Sequence, residues 1–113
     1  MKAIALTHYL PSDHPDCFIT ATLPDPIPGP RDLLVKVTAT SINPVDTKVR
    51  APKAKIEASP RVLGWDAVGE VVAVGSEVSL FKAGDRVWYA GDISRPGSNS
   101  ALQLVDERIA ALA

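Results

Sequence analysis

Cysteine is nearly missing from this chain. Cys17 stands alone, so no internal disulfide can form. A lone thiol suits a reducing compartment, and a cytoplasmic protein is expected. Charge of one sign is also missing: the formal net charge is -1, with no basic stripe and no acidic tail. Nucleic acid and membrane surfaces are therefore poor partners. Long apolar runs are absent, and the N-terminal Met1-Lys2-Ala3-Ile4-Ala5-Leu6 is too short for a signal peptide or a spanning helix. Internal repeats and low-complexity tracts are absent too. Histidine is limited to His8 and His14, close together near the N-terminus, which leaves no readable Ser/His/Asp or Cys/His arrangement.

What is present is proline. Ten prolines in 113 residues exceed average usage, and they cluster from Pro24 to Pro30. That density disfavours long helices and marks strand ends and loops. The hydrophobic content of 46% is globular, and the length is one domain with one core.

Strand signals dominate. Residues 2–7 and 18–23 read as two strands. Leu33, Val35, Val37, Ala39 and Ser41 share one face of a third, with a period of two. Residues 67–74 are β-branched on both sides and read as a strand buried on both faces. Lys82-Ala83-Gly84-Asp85 is a turn before a strand over 86–90. Of Trp88 and Tyr89, one should point inward and the other outward, toward a cleft. Residues 91–99 form a polar loop, 102–105 a last strand, and 106–113 a tail or a helix start.

One helix start is clear. In Asn43-Pro44-Val45-Asp46, Asn43 can accept a backbone N–H as the N-cap. Pro44 suits the first helical position, and Asp46 suits the third. The helix should end near Arg50, with residues 51–60 as a charged loop. Many short strands and one or two short helices make a mainly β fold, and a barrel protects strand edges best.

Three motifs together are specific. They are Ser41-Ile42-Asn43-Pro44-Val45-Asp46, Ala67-Val68-Gly69-Glu70-Val71-Val72-Ala73-Val74-Gly75 and Phe81-Lys82-Ala83-Gly84-Asp85-Arg86-Val87. In this order they resemble the N-terminal domain of the medium-chain dehydrogenase/reductase superfamily. The branch resembled is that of quinone oxidoreductases and zinc-type alcohol dehydrogenase-like proteins. The resemblance runs from Met1 to Asp106 and implies a GroES-like, partly open β-barrel over residues 1–113. Gly69 and Gly75 would serve close backbone approach and positive φ.

The resemblance also sets functional expectations. A nucleotide-binding Rossmann domain is expected outside this chain, because no G-x-G-x-x-G follows a strand here. NADPH, or NADH, would be held mainly by that absent domain. The full-length protein would be an oxidoreductase and a homodimer, reducing a small quinone or activated carbonyl, and this portion alone would be inactive. Zinc-dependent relatives carry a cysteine where Asn43 stands and Gly-His-Glu where Gly64-Trp65-Asp66 stands. Trp65 has only an indole donor, and Asp66 alone cannot hold the ion, so no zinc is expected. Asn43, Lys48, Trp65, Tyr89 and Asn99 are the expected cleft residues, with Pro44, Asp46 and Asp66 supporting them.

Several of these positions have plain readings as well. Lys48 is a solvated lysine or a contact to substrate or a cofactor phosphate. Trp65 is a cleft wall or core. Gly91 to Asn99 resembles a loop near the nicotinamide, or is a flexible surface loop. Ser100-Ala101-Leu102 replaces the family's Ala-Glu-Tyr, which removes an aromatic that frames the site. A stand-alone binding or co-chaperone-like module with the same barrel is the alternative. It would need a mobile apolar loop at residues 51–60, where only Ile56 is a large apolar anchor.

Overall fold

The computed structural model describes all residues from 1 to 113. Two antiparallel sheets face each other without closing. The smaller sheet has the order β2-β1-β4, from β1 (Lys2–Tyr9), β2 (Ile19–Thr22) and β4 (Lys53–Val62). The larger has the order β7-β3-β5-β6-β8, from β3 (Asp32–Ser41), β5 (Asp66–Val74), β6 (Arg86–Ala90), β7 (Leu102–Asp106) and β8 (Ala110–Leu112). One helix, α1 (Pro44–Arg50), and a single 3-10 turn at Glu107–Ile109 complete the chain. This is the expected mainly β, partly open barrel. No helix is long and apolar enough to cross a membrane.

The alternation of β3 holds at Leu33, Val35 and the half-buried Val37, but an irregularity in the pairing after Val37 ends it, and Ala39 and Ser41 are exposed. Leu33 and Val35 enter a core with Ala67, Val71, Val87, Tyr89 and Val105. A second core lies under α1, where Leu6, Tyr9, Leu63 and Trp65 meet Val45 and Val49. Val45 and Val49 are four apart, so they form one apolar seam on the short helix.

Four expectations need correction. Residues 51–60 are not a loop; most of them belong to β4. That strand is the edge of the small sheet and is exposed along much of both faces, so it carries no apolar period. Its Lys53, Lys55, Glu57 and Pro60 suit an unpaired edge. The mobile loop that a co-chaperone-like module would need is thus a paired strand. Second, β5 is buried on one face only; Val72 and Val74 look outward, as in an antiparallel sheet with one open side. Third, the tail over 106–113 is the 3-10 turn and β8, which pairs with β6 from Val87↔Leu112 to Tyr89↔Ala110. Fourth, Gly69 and Gly75 do not have positive φ; Gly64 (92°) and Gly84 (96°) do. Close approach is the demand at Gly75, where a Cβ would lie 1.9 Å from the Gly29 carbonyl oxygen.

Two buried carboxylates fasten loops to this frame. Glu107, fully buried, accepts N–H bonds from Ser79 and Leu80 at 2.9 Å each and pairs with Arg31 at 3.3 Å. The N–H groups of Leu80 and Ser79 hold its carboxyl below the usual range. Asp32 binds Arg95 through both carboxylate oxygens, at 2.8 and 2.9 Å, and so ties the 91–99 loop to β3. That loop is not a free surface segment: Gly97 and Ser98 are buried.

Candidate functional site

The start of α1 is where the polar expectations converge. Asn43 has extended backbone (φ -127°), and Pro44 opens the helix. Asp46 reaches back, and its carboxylate accepts the Asn43 N–H at 2.8 Å, while the Asp46 N–H donates to the Asn43 backbone carbonyl at 3.0 Å. The Asn43 side-chain amide donates to the Asp66 carboxylate and, at 3.3 Å, to the Ser41 hydroxyl.

A small polar network extends this contact. The Thr40 hydroxyl donates to the Asp66 backbone carbonyl at 3.0 Å and lies 2.9 Å from the Ser98 hydroxyl. Ser98 and Asn99 are held by backbone bonds to Gly64 (2.6 Å) and Leu63 (3.0 Å). Gly64 permits this closeness: a Cβ there would lie 2.7 Å from Ser98 Oγ and 2.8 Å from Asn99 Oδ1.

Two hollows flank the Asn43–Asp66 contact. One, of about 370 Å³, lies on the outer face of the large sheet between Thr40, Ser41, Asp66, Val68 and Trp88. The other, of about 230 Å³, lies beside α1 between Phe18, Ile42, Asp46, Thr47, Arg50, Leu63 and Asn99. Asn43 links them, since Asp66 lines the first and Asp46 the second.

Asn43 is thus bonded to both Asp46 and Asp66, with Pro44 at the helix start beside them, and Asn99 lines the same hollow as Asp46. The other three cleft candidates are placed differently. Trp65 is 2% exposed and fills the core under α1; its indole N–H comes within 3.5 Å of the Arg95 carbonyl. Tyr89 is 3% exposed and belongs to the main core, with its hydroxyl donating to Gln103 at 2.7 Å. Burial pushes the Tyr89 phenol well above its ordinary value. Trp88, 58% exposed, is the outward-facing member of the pair, although both residues border the outer hollow. Lys48 is exposed and has no hydrogen-bond or ion-pair partner. At 3.6 residues per turn it projects from the flank of α1 about opposite the Asp46–Arg50 side. Phe18, Ile42 and Arg50 were not legible as site residues; Arg50 at i+4 from Asp46 was the available signal.

Residues 29–105 match the family model for the alcohol dehydrogenase GroES-like domain. The chain belongs to this family. It is 53% identical over 88 residues to a zinc-type alcohol dehydrogenase-like protein of Staphylococcus aureus, a match covering 78% of this chain and 26% of that protein. It superimposes with a TM-score of 0.94, at 45% identity, on a candidate zinc-dependent alcohol dehydrogenase from Rhizobium etli, covering 99% of this chain and 32% of the other. On the Escherichia coli quinone oxidoreductase complexed with NADPH, the TM-score is 0.78 at 27% identity, over 99% of this chain and 33% of the other. The GroES-like domain here thus spans about a quarter to a third of these relatives. They are oxidoreductases, and the recognised superfamily is the one the motifs resemble.

Two groups named in these relatives can be tested against the residues present. Zinc needs three converging protein ligands. No three His, Cys, Asp or Glu side chains come together anywhere in this GroES-like domain. At the position of interest Asn43 offers an amide, Trp65 is packed in the core, and only Asp66 is a carboxylate. These residues do not fit a zinc ion. A dinucleotide wants a strand, a glycine-rich turn and a helix N-terminus. The sheets here are antiparallel, and α1 has seven residues and starts at Asn-Pro. These residues do not by themselves fit the whole cofactor.

Proposed function

We propose that this domain forms one wall of the active-site cleft of a zinc-independent, NAD(P)H-dependent oxidoreductase whose acceptor is a quinone, an enone or a related activated carbonyl. The observation that carries this reading is Asn43, whose amide donates to Asp66, a residue of one hollow, and whose backbone N–H donates to Asp46, a residue of the other. The reducing cofactor is held by protein outside residues 1–113, and NADPH is favoured because the Escherichia coli relative is complexed with it. When bound, the nicotinamide supplies the hydride.

The work of this chain is positional. Asp66 and Ser41 fix the Asn43 side chain, and Asp46 fixes its backbone, so its amide plane cannot turn freely. Asn99 lines the inner hollow with a side-chain amide that has no protein partner, which leaves it free to donate to an acceptor oxygen. Phe18, Ile42 and Leu63 give the same side an apolar surface. Orientation of this kind accounts for a large share of rate enhancement when the second reactant is supplied from across the cleft.

The test joins this domain to a cofactor-binding domain and measures NADPH-dependent quinone reduction. Asn43→Ala and Asn99→Ala should each lower kcat/KM by about tenfold or more, as loss of an orienting contact does, while NADPH affinity stays within about twofold. Residues 1–113 alone, mixed with NADPH and a small quinone, should show no turnover. Turnover by the domain alone, or wild-type rates in both variants, would overturn the proposal.

A further inference from the structure

We infer that the inner hollow beside α1 is a subsite for a planar acceptor bearing an anionic group, with Arg50 as the residue that reads the charge. This rests on the cleft-wall reading above and deepens it. Three observations carry it.

The first is the lining. Phe18, Ile42 and Leu63 give an apolar wall to a volume of about 230 Å³, room for a ring system rather than a whole cofactor. Ile42 is 82% exposed, which leaves its side chain available to a ligand. The second is the state of Arg50. Its Nη1 donates to the Leu10 carbonyl at 3.1 Å, and its guanidinium lies 6.0 Å from the Phe18 ring centroid. No carboxylate pairs with it, although most of the other arginines, Arg31, Arg95 and Arg108, each have one. A guanidinium has five donors in a fixed fork, so the remaining donors are free for a bidentate contact. Asp46 shares the hollow, but one of its oxygens is committed to the Asn43 N–H.

The third is register. Asp46 and Arg50 are spaced i, i+4 and share one side of α1, while Lys48 projects from the other. An anion held by Arg50 therefore places the attached ring beside Asn99, which lines the same hollow. A carboxylate is the simplest such group; a sulfonate presents the same fork to the guanidinium.

The experiment uses residues 1–113, 2-naphthoate and the neutral 2-naphthamide, with binding followed by amide chemical shifts. Naphthoate should bind about tenfold more tightly than naphthamide, with shifts at Thr47, Arg50 and Asn99. Arg50→Gln should remove that preference and leave naphthamide binding unchanged. Lys48→Gln should leave both ligands unchanged. Ile42→Ala, at an exposed position that folding does not need, should weaken both ligands alike. Equal affinity for the two ligands, loss of naphthoate binding in Lys48→Gln but not in Arg50→Gln, or shifts confined to the outer face near Trp88 would each overturn the inference. None of these outcomes touches the Asn43 and Asn99 rate tests, so the two proposals fail separately.

Discussion

Replacing Asp32 by asparagine should loosen the loop that carries Asn99. In the native chain Arg95 donates two hydrogen bonds to the Asp32 carboxylate, at 2.8 and 2.9 Å, and the Gly29 N–H donates a third at 2.9 Å. An asparagine presents one NH2 where all three neighbours are donors, so at least one contact becomes donor against donor. The side chains are 33% and 12% exposed, between the surface case, about 0–1 kcal/mol, and the buried case, about 3–5 kcal/mol. A loss of about 2 kcal/mol follows, or about 10 °C in Tm for a domain of this size. The loss should depend on pH. Arg95, above all, holds the Asp32 carboxyl below its usual value, with the Gly29 N–H helping and burial opposing. A carboxyl depressed on folding stabilises fully above its unfolded pKa, about 3.9, and loses that contribution as pH falls through the folded value. The gap in Tm between wild type and Asp32→Asn should therefore be constant from about pH 5 to 7 and narrow as pH falls below about 4. Thermal melts followed by circular dichroism at several pH values read this directly. Amide exchange at Ser98 and Asn99 should speed up in the variant, because their N–H bonds to Gly64 and Leu63 depend on the loop staying docked. Equal melting at pH 7, or a gap undiminished at pH 2, would refute the reasoning.

Gly75→Ala should be severe: the new Cβ meets the backbone of Gly29 and Pro30, which cannot move aside, at a cost of about 3 kcal/mol or more in denaturant unfolding. Gly84→Ala, with positive φ but nothing within 4 Å, should cost only about 1–2 kcal/mol. Tyr89→Phe should cost about 1–2 kcal/mol by orphaning Gln103 Oε1. In the native chain the raised Tyr89 pKa means its phenol contributes stability below the unfolded value, about 10, and loses it at higher pH, so tyrosinate absorbance from Tyr89 should appear only with unfolding. Chelator and stoichiometric zinc should each leave the melting curve of the domain unchanged; a zinc-dependent rise in Tm would contradict the ligand count at Asn43, Trp65 and Asp66.

What could be read from sequence is what is local. The alternation through Leu33 and Val35, the Asn43-Pro44 helix start and the turn at Gly84-Asp85 each announce themselves within a few residues, and each is where it was expected. β4 was missed because an edge strand exposed on both faces has no apolar rhythm to detect. The orientation of Trp88 and Tyr89 needed the position of β6 in the sheet: alternation says that they differ, not which one is inside. A tryptophan after a glycine suits cleft wall or core; Val45 and Val49, packed on the same cluster as Trp65, decide for the core. Asp32 and Arg95 are 63 residues apart, and no local pattern pairs them. At the site, Asn43 was found by its place in the motif. Its actual partner, Asp66, became evident only when β3 and β5 brought Ser41 opposite Asp66.

The backbone bonds of residues 97–101 reach Val62, Leu63 and Gly64 on one side, Lys2 and Ile4 on another, and Val37 on a third. This segment is thus the suture between the two sheets, and it also presents Asn99 to the inner hollow. The hollow cannot exist in a half-assembled molecule, because its rear wall is the last stitch between segments far apart in the chain. Ligand affinity would then serve as a gauge of complete assembly, and a lesion at the suture would silence recognition while leaving each sheet able to form.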